Sequence, residues 1–425
     1  MELEIKSAVK FFRRPFVLKF SFAILTQSLL SLTNLIIGIV IAKYASKSEY
    51  GMYVILFSII GLVGNYQGAI VNTPLTVLLP AKNAQEKQVF LAGLGYGQWV
   101  FFIPLTLLAI IIGSIYSYKF QDVTIITYFL VVSFATVTYL LREFIRTINY
   151  SKLRIGLIVK MDVFFVFITS IGFVLLVIFQ KLTSSFSIIV LGSGYLSTAL
   201  FERVHSNEKY YFDWHSIKNV FIETWQYSRW ALLGVTSDIF KNRGYIYIVT
   251  VSLGLETIAD ISAARLFIMP VGLIVVSSGK MILAKGAGIL NLQSKKKFKQ
   301  FVILLFLLMI TIWSVYVLIL WVGLNPLTSL LGEKYKNIGG FILLWGFFFL
   351  IYSMRYSITT ALSVCKEFKA MSKYDIISAI ITTVACLILT RSIGGYGAII
   401  ALTLGEGVLL MLAMTRFVKV LRDGN

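Results

Sequence analysis

Roughly a dozen stretches of this chain are apolar for long enough to cross a bilayer, and short charged loops join them. The first runs from about Leu18 to Ile41 and the last from about Gly397 to Phe417. A helix needs about 20 apolar residues to span about 30 Å of hydrocarbon. Lipid forbids unpaired backbone, so the spanning stretches are helices and the class is all-α. The chain is 58% hydrophobic with a mean hydropathy of +0.85, above the ~45–50% apolar content of soluble domains. This is a polytopic membrane protein, and the polar groups left inside its spans carry the functional information.

The spans fall at about 17–42, 51–79, 89–115, 124–141, 161–180, 183–202, 228–252, 258–283, 300–323, 338–363, 374–391 and 396–417. They use up nearly all of the 425 residues. The longest hydrophilic stretches are Glu202–Ser228 and Lys285–Gln300, too short for a soluble domain. Cys365 and Cys386 lie in or beside spans without CxxC spacing and read as small packing residues. His205 and His215 sit together in the central loop, which excludes a histidine metal centre or base within the membrane. The basic N-terminal segment Met1–Pro15 precedes an apolar run too long for a signal peptide and without an AxA-like site, so it leads into an uncleaved first span.

Charge placement sets the topology. Alternate loops carry about 26 Lys/Arg on one side and about 7 on the other, a strong positive-inside bias. The rich side includes Arg142–Lys160, the central loop, Lys295–Lys299, Lys366–Lys373 and the C-terminal tail, which places both termini in the cytoplasm. The net charge of +20 follows from orientation and from anionic headgroups, and does not call for nucleic acid.

Sliding the chain against itself by about 208 residues lays span 1 on span 7 and Asn34 on Asn242. The YGMY turn at Tyr50–Tyr53 then falls on Ile258–Ile261, and Gly192 and Gly194 match Gly395 and Gly397 at an offset about five residues shorter. Two pseudo-symmetric lobes of six parallel-oriented spans follow. One covers residues 1–211, including the start of the central cytoplasmic loop, and the other residues 212–425.

"SLTNLIIGIVIAKYASKSEYGMYVILFSIIGLV" (Ser31–Val63) resembles the opening of the polysaccharide-exporter branch of the multidrug/oligosaccharidyl-lipid/polysaccharide superfamily. "SLGLETIADISAARLFIMPVGL" (Ser252–Leu273) resembles that family's turn between spans 7 and 8, with Ala259 where a glycine is usual. "GGYGAIIALTLGEGVLL" (Gly394–Leu410) resembles its last span. The resemblance implies two lobes in a V around a central cavity. It also implies a flippase for undecaprenyl-pyrophosphate-linked sugar repeat units, as in O-antigen, capsule or exopolysaccharide assembly in the bacterial cytoplasmic membrane. Membrane lipid and the lipid-linked glycan are then the partners, with a polysaccharide polymerase or chain-length regulator as candidates beside them.

Six bases lie within spans: Lys19, Lys241, Arg243, Arg265, Lys280 and Arg355. Each costs about 2.5–3.5 kcal/mol at a helix centre if it faces lipid. Lys19 and Lys280 lie within a turn of the cytoplasmic boundary, where snorkelling competes with a place in the cavity. Arg355 lies deeper, and Lys241 and Arg243 fall near the middle of span 7. Asp238, three residues before Lys241, offers a closed pair, but Arg243 points about 140° away from it. Arg265 and Asp260 repeat that arrangement in span 8, and a water-filled cationic cavity near the two spans accounts for all five. Gln27, Asn34, Asn65 and Asn72 are its polar lining candidates, the last two beside the helix-breaking Pro74. Glu406, between two glycines in span 12, either binds a proton or cation or pairs with a base. With Asp238 and Asp260 it is a candidate for ion coupling.

The deep charges run to about five bases against three acids, and a net positive cavity suits a pyrophosphate, whose oxygens match the arginine fork. No Walker A motif, acidic catalytic pair or large outer loop occurs, so the expected activity is transport without enzyme chemistry or cofactor. Two rivals remain: a multidrug or small-molecule exporter of the same superfamily, which wants a more acidic cavity, and an integral-membrane polysaccharide polymerase.

Overall fold

The computed structural model describes residues 25–205, 214–292 and 294–422. Fifteen helices cover them: α1 Leu25–Tyr44, α2 Lys47–Ala81, α3 Ala84–Phe120, α4 Val123–Ser151, α5 Ile155–Ile178, α6 Ser184–His205, α7 Trp214–Asn242, α8 Gly244–Leu253, α9 Leu255–Leu266, α10 Met269–Leu292, α11 Lys295–Val322, α12 Leu324–Leu331, α13 Gly339–Val364, α14 Phe368–Ile393 and α15 Gly395–Arg422. Ten of these, among the described residues, are long and apolar enough to cross a membrane. No strand occurs among the described residues.

The two expected spans outside that ten are each broken in the middle. Span 7 divides into α7 and α8 at Arg243, within the polar Asn242-Arg243-Gly244 sequence. Span 8 divides into α9 and α10 at Phe267–Ile268. Two residues later comes Pro270, which has no N–H to donate and whose ring disfavours a continuous helix. The Tyr316 hydroxyl donates to the Phe267 carbonyl at the break, at 2.5 Å.

A second correction concerns the expected loop at Arg142–Lys160. Helix α4 runs on to Ser151, so Arg142 and Arg146 lie inside it, both buried. The apolar stripe of α4 passes through Val131, Ala135, Arg142, Arg146 and Asn149 at helical spacing. Charge ended the span on paper, whereas in the fold Asp162 of α5 neutralises it.

Backbone packing divides the chain into two compact units. The first holds residues up to Ile37 together with Leu56–Leu233, and the second holds Gly38–Ile55 together with Gly234–Asn425.

In the first unit, Leu75, Phe90, Leu94, Phe144 and Val220 form a buried core. Pro74 withholds an N–H from the preceding turn of α2, and the Ser228 hydroxyl donates to the Ile70 carbonyl at 3.2 Å. A π-helical turn at Gly68–Asn72 precedes the proline. Gln67 Nε2 donates to the Leu140 carbonyl (2.7 Å) and to Gln98 Oε1 (2.8 Å), tying α2 to α4 and α3.

In the second unit, Ile282, Phe298, Val302, Leu362 and Ala413 form a core. Helices α8 and α9 make a hairpin whose turn residue, Gly254, has φ +86°, a conformation glycine adopts without strain. Helices α14 and α15 pack closely at Gly405, where any Cβ would strike Thr382. Ser378 Oγ donates to the Gly405 carbonyl at 2.8 Å. That close approach sets the position of Glu406.

Candidate functional site

The two helix breaks fall where sequence reasoning put its deep arginines. Arg243 is the break residue between α7 and α8, at φ −125°, with its N–H bonded to the Ile239 carbonyl. Arg265 stands in the last turn of α9. Each is 11 residues from Gly254 (254 − 243 and 265 − 254), so both lie about 16 Å from the hairpin turn at 1.5 Å per residue. The hairpin therefore carries its two arginines at one depth.

Arg265 is half-buried. Its Nη1 donates to the Tyr245 hydroxyl at 3.2 Å, and its guanidinium lies 5.2 Å from the centre of the Trp345 ring. Among the described residues no carboxylate lies within ion-pair distance of it. One hydrogen bond from a group with five N–H donors leaves most of the fork unused by those residues.

Two other deep bases of the second unit, Arg355 and Lys241, are matched to acids. Arg355 Nε donates to Glu406 Oε2 at 2.6 Å, and its guanidinium lies 4.7 Å from the Tyr352 ring centre. Lys241 Nζ lies 3.2 Å from Asp375 Oδ1 and 3.6 Å from Glu406 Oε1. Lys241 thus reaches across to α14 and α15, and the closed Asp238–Lys241 pair allowed by helical spacing gives way to that arrangement. Asp238 is exposed and accepts from Asn242 Nδ2 at 2.6 Å. Asp260 meets Lys47 at 2.7 Å. Glu406 lies against two bases, Arg355 and Lys241.

The expected polar lining lies in the first unit. Gln27 is exposed on α1, and Asn34, Asn65 and Asn72 are half-buried. Asn72 Oδ1 is buried without a hydrogen-bond partner among the described residues. Lys19 lies outside the described residues, as do the side chains of Lys280, His205 and His215.

Sequence reasoning missed a buried charged cluster in the first unit. Asp162, fully buried, accepts from Arg142 Nη2 at 2.7 Å and from Arg146 Nη2 at 3.1 Å. Glu143 lies 2.7 Å from Arg142 Nη1 and 3.6 Å from Arg146 Nη1. The Arg142 guanidinium covers Phe165 at 4.6 Å. A lone acid at the start of an apolar run was the available signal for Asp162. For Asp375, at the edge of span 11, there was no local signal, because its partner is 134 residues away.

No protein-family model and no curated protein matches the sequence. Solved structures do match in fold. The lipid II flippase MurJ in an inward closed conformation aligns with a TM-score of 0.69 at 15% identity, over 95% of this chain and 90% of that one. An inward-facing multidrug resistance MATE family transporter of the MOP superfamily gives 0.68 at 12% identity, over 93% and 96%. The eukaryotic MATE transporter AtDTX14 gives 0.64 at 13%, over 96% and 98%. The chain has the all-α membrane fold these transporters share.

Proposed function

We propose that the chain is a flippase that carries undecaprenyl-pyrophosphate-linked oligosaccharide repeat units across the bacterial cytoplasmic membrane by alternating access, for O-antigen, capsule or exopolysaccharide assembly. Both termini are cytoplasmic in this reading, and a polysaccharide polymerase or chain-length regulator works beside it. The observation that carries it is Arg265. Among the described residues its partners are a phenol and an indole ring, while Asp162, Asp260 and Glu406 are each matched to a base. The unmatched charge is cationic and deep, which suits an anionic headgroup and the bidentate geometry of phosphate oxygens. Arg243, at the same depth, is its natural companion. One structural neighbour is named a lipid II flippase.

The exposed Asp238 favours the rival small-cation exporter, so the test includes both cargoes. In reconstituted vesicles the chain moves a fluorescent undecaprenyl-pyrophosphate-linked oligosaccharide between leaflets and leaves ethidium where it is. At normal membrane levels, Arg265→Lys and Arg243→Lys are partly active, and Arg265→Gln and Arg243→Gln are nearly inactive. Wild-type rates in the two Gln variants, or failure only because the protein is not made, overturn the assignment. Ethidium movement abolished by Asp238→Asn establishes the rival.

A further inference from the structure

Among the described residues, the groups that hold the Arg265 guanidinium are neutral. Trp345 of α13 is 1% exposed and meets α9 in two ways. Its ring centre lies 5.2 Å from the Arg265 guanidinium, and its Nε1 donates to the Ile261 carbonyl at 3.0 Å. Ile261 stands four residues before Arg265 in α9, so its carbonyl closes the helical turn that ends at Arg265. One side chain therefore grips the turn that carries the arginine and also covers its charge. Tyr245 of α8 completes the cradle. Its hydroxyl accepts from Arg265 Nη1, and its ring meets the Trp345 ring edge-on at 5.9 Å. Just past Arg265, the Tyr316 hydroxyl fixes the end of α9 through the Phe267 carbonyl.

We infer that Trp345 and Tyr245 are positioning residues that hold Arg265 charged and aimed for the phosphates of the lipid-linked cargo, an inference that rests on the proposed flippase function. A carboxylate in their place would hold the guanidinium firmly but neutralise it, and it would compete with phosphate for the same fork. An aromatic face attracts the cation through its quadrupole, carries no net charge and leaves N–H donors of the guanidinium for an anion. Arg355 shows the alternative: it also lies on a ring, that of Tyr352, but its Nε is taken by Glu406. Trp313 of α11 gives the internal comparison. It is as buried as Trp345, and both meet Phe349, at 5.7 and 6.0 Å. The Trp313 Nε1 nevertheless has no hydrogen-bond partner among the described residues. Packing in this core accommodates an unused indole N–H, whereas at Trp345 the N–H is spent on the turn below Arg265.

The test measures binding of undecaprenyl pyrophosphate and of neutral undecaprenol to the full-length chain by native mass spectrometry. Trp345→Phe, Tyr245→Phe and Trp313→Phe are compared with wild type, each alone and combined with Arg265→Gln. Trp345→Phe keeps a ring but removes the N–H, and Tyr245→Phe removes only the hydroxyl. Both are expected to lose about three- to tenfold in pyrophosphate affinity and to keep their affinity for undecaprenol. Neither should cause a further loss once Arg265→Gln is present, because the interaction they support is already gone. Trp313→Phe is expected to bind both lipids as wild type does. A pyrophosphate loss that persists undiminished beside Arg265→Gln, or that Trp313→Phe matches, marks a packing role and overturns the inference. Wild-type affinity in both Trp345→Phe and Tyr245→Phe overturns it as well. If Trp345→Phe is not made at normal levels, Tyr245→Phe, which deletes one oxygen atom, decides by the same criteria. The flippase reading survives these failures as long as Arg265→Gln itself weakens pyrophosphate binding. Equal pyrophosphate affinity in wild type and Arg265→Gln takes the arginine out of the site and overturns both.

Discussion

Each unit sets two buried bases against two acids, and the two clusters are built to different tolerances. In the first unit a fully buried Asp162 is clamped by two arginines at 2.7 and 3.1 Å, and Glu143 takes up the other side of the same guanidinium groups. The members come from two sequence-adjacent helices, and Arg142 is stacked on Phe165. In the second unit the tight contact is Arg355–Glu406 at 2.6 Å, and Lys241 bridges Asp375 and Glu406 at 3.2 and 3.6 Å. Its members come from four helices, one of which breaks two residues past Lys241. The Asp375 side chain is 41% exposed. A forked, closed cluster fixes one geometry. A cluster tied by a flexible ammonium at longer range leaves room for exchange, and it stands beside the broken hairpin.

The largest expected effect lies in the closed cluster. Asp162→Asn leaves two buried arginines with one partly exposed acid between them, and breaking a buried pair from one side costs about 3–5 kcal/mol. Thermal unfolding in detergent measures it. A loss under about 1 kcal/mol would show that the cluster is hydrated and not a brace.

Glu406→Gln comes second. The amide can still accept from Arg355, and Lys241 keeps Asp375, so the expected loss is about 2 kcal/mol, the range for a hydrogen bond to a charged group. Transport provides the separate readout. If Glu406 contributes to ion coupling, the variant changes the pH or sodium dependence of transport; unchanged dependence with intact rates removes that role.

The fold class could be read from span length alone, and hydropathy located ten of the membrane helices. The hairpin breaks also had local signals, in Asn242-Arg243-Gly244 and Pro270, but apolar content carried the reading straight across both. The charged clusters were harder to read for a physical reason. Arg142 and Arg146 were assigned to a loop because charge counts against a span, yet pairing with Asp162 removes that objection in three dimensions. Helical spacing offered Asp238 to Lys241, while the fold supplied Asp375 and Glu406 from distant parts of the chain. Spacing identifies neighbours on one helix; it says nothing about which helices meet. Arg265 was legible as a deep base without an acid on its own face, and the neutral Tyr245 and Trp345 around it were not.

A double-mutant cycle on Lys241→Gln and Asp375→Asn measures how loose the second cluster is. Half-exposed pairs are worth about 0.2–1 kcal/mol, so the expected coupling energy is about 1 kcal/mol, with the full effect screened at high salt. A coupling above about 3 kcal/mol, the scale of a buried pair, would make the second cluster as rigid as the first and erase the contrast.

The smallest expected effect comes from α6 in the first unit. Glu202 on α6 takes Asn149 Nδ2 of α4 at 3.0 Å, just as Glu406 on the second unit's last helix takes Arg355 of α13. Each acid ties its helix to the helix two before it, Glu202 through a neutral amide and Glu406 through a guanidinium. An amide oxygen still accepts from Asn149, so for this contact Glu202→Gln is expected to cost about 0.5–1 kcal/mol, the difference between a hydrogen bond to a charged group and a neutral one. Its transport rate and pH dependence should match wild type. If Glu202→Gln is as damaging as Glu406→Gln, the acids of α6 and α15 are equivalent, and the functional asymmetry assigned to the second unit has to be abandoned.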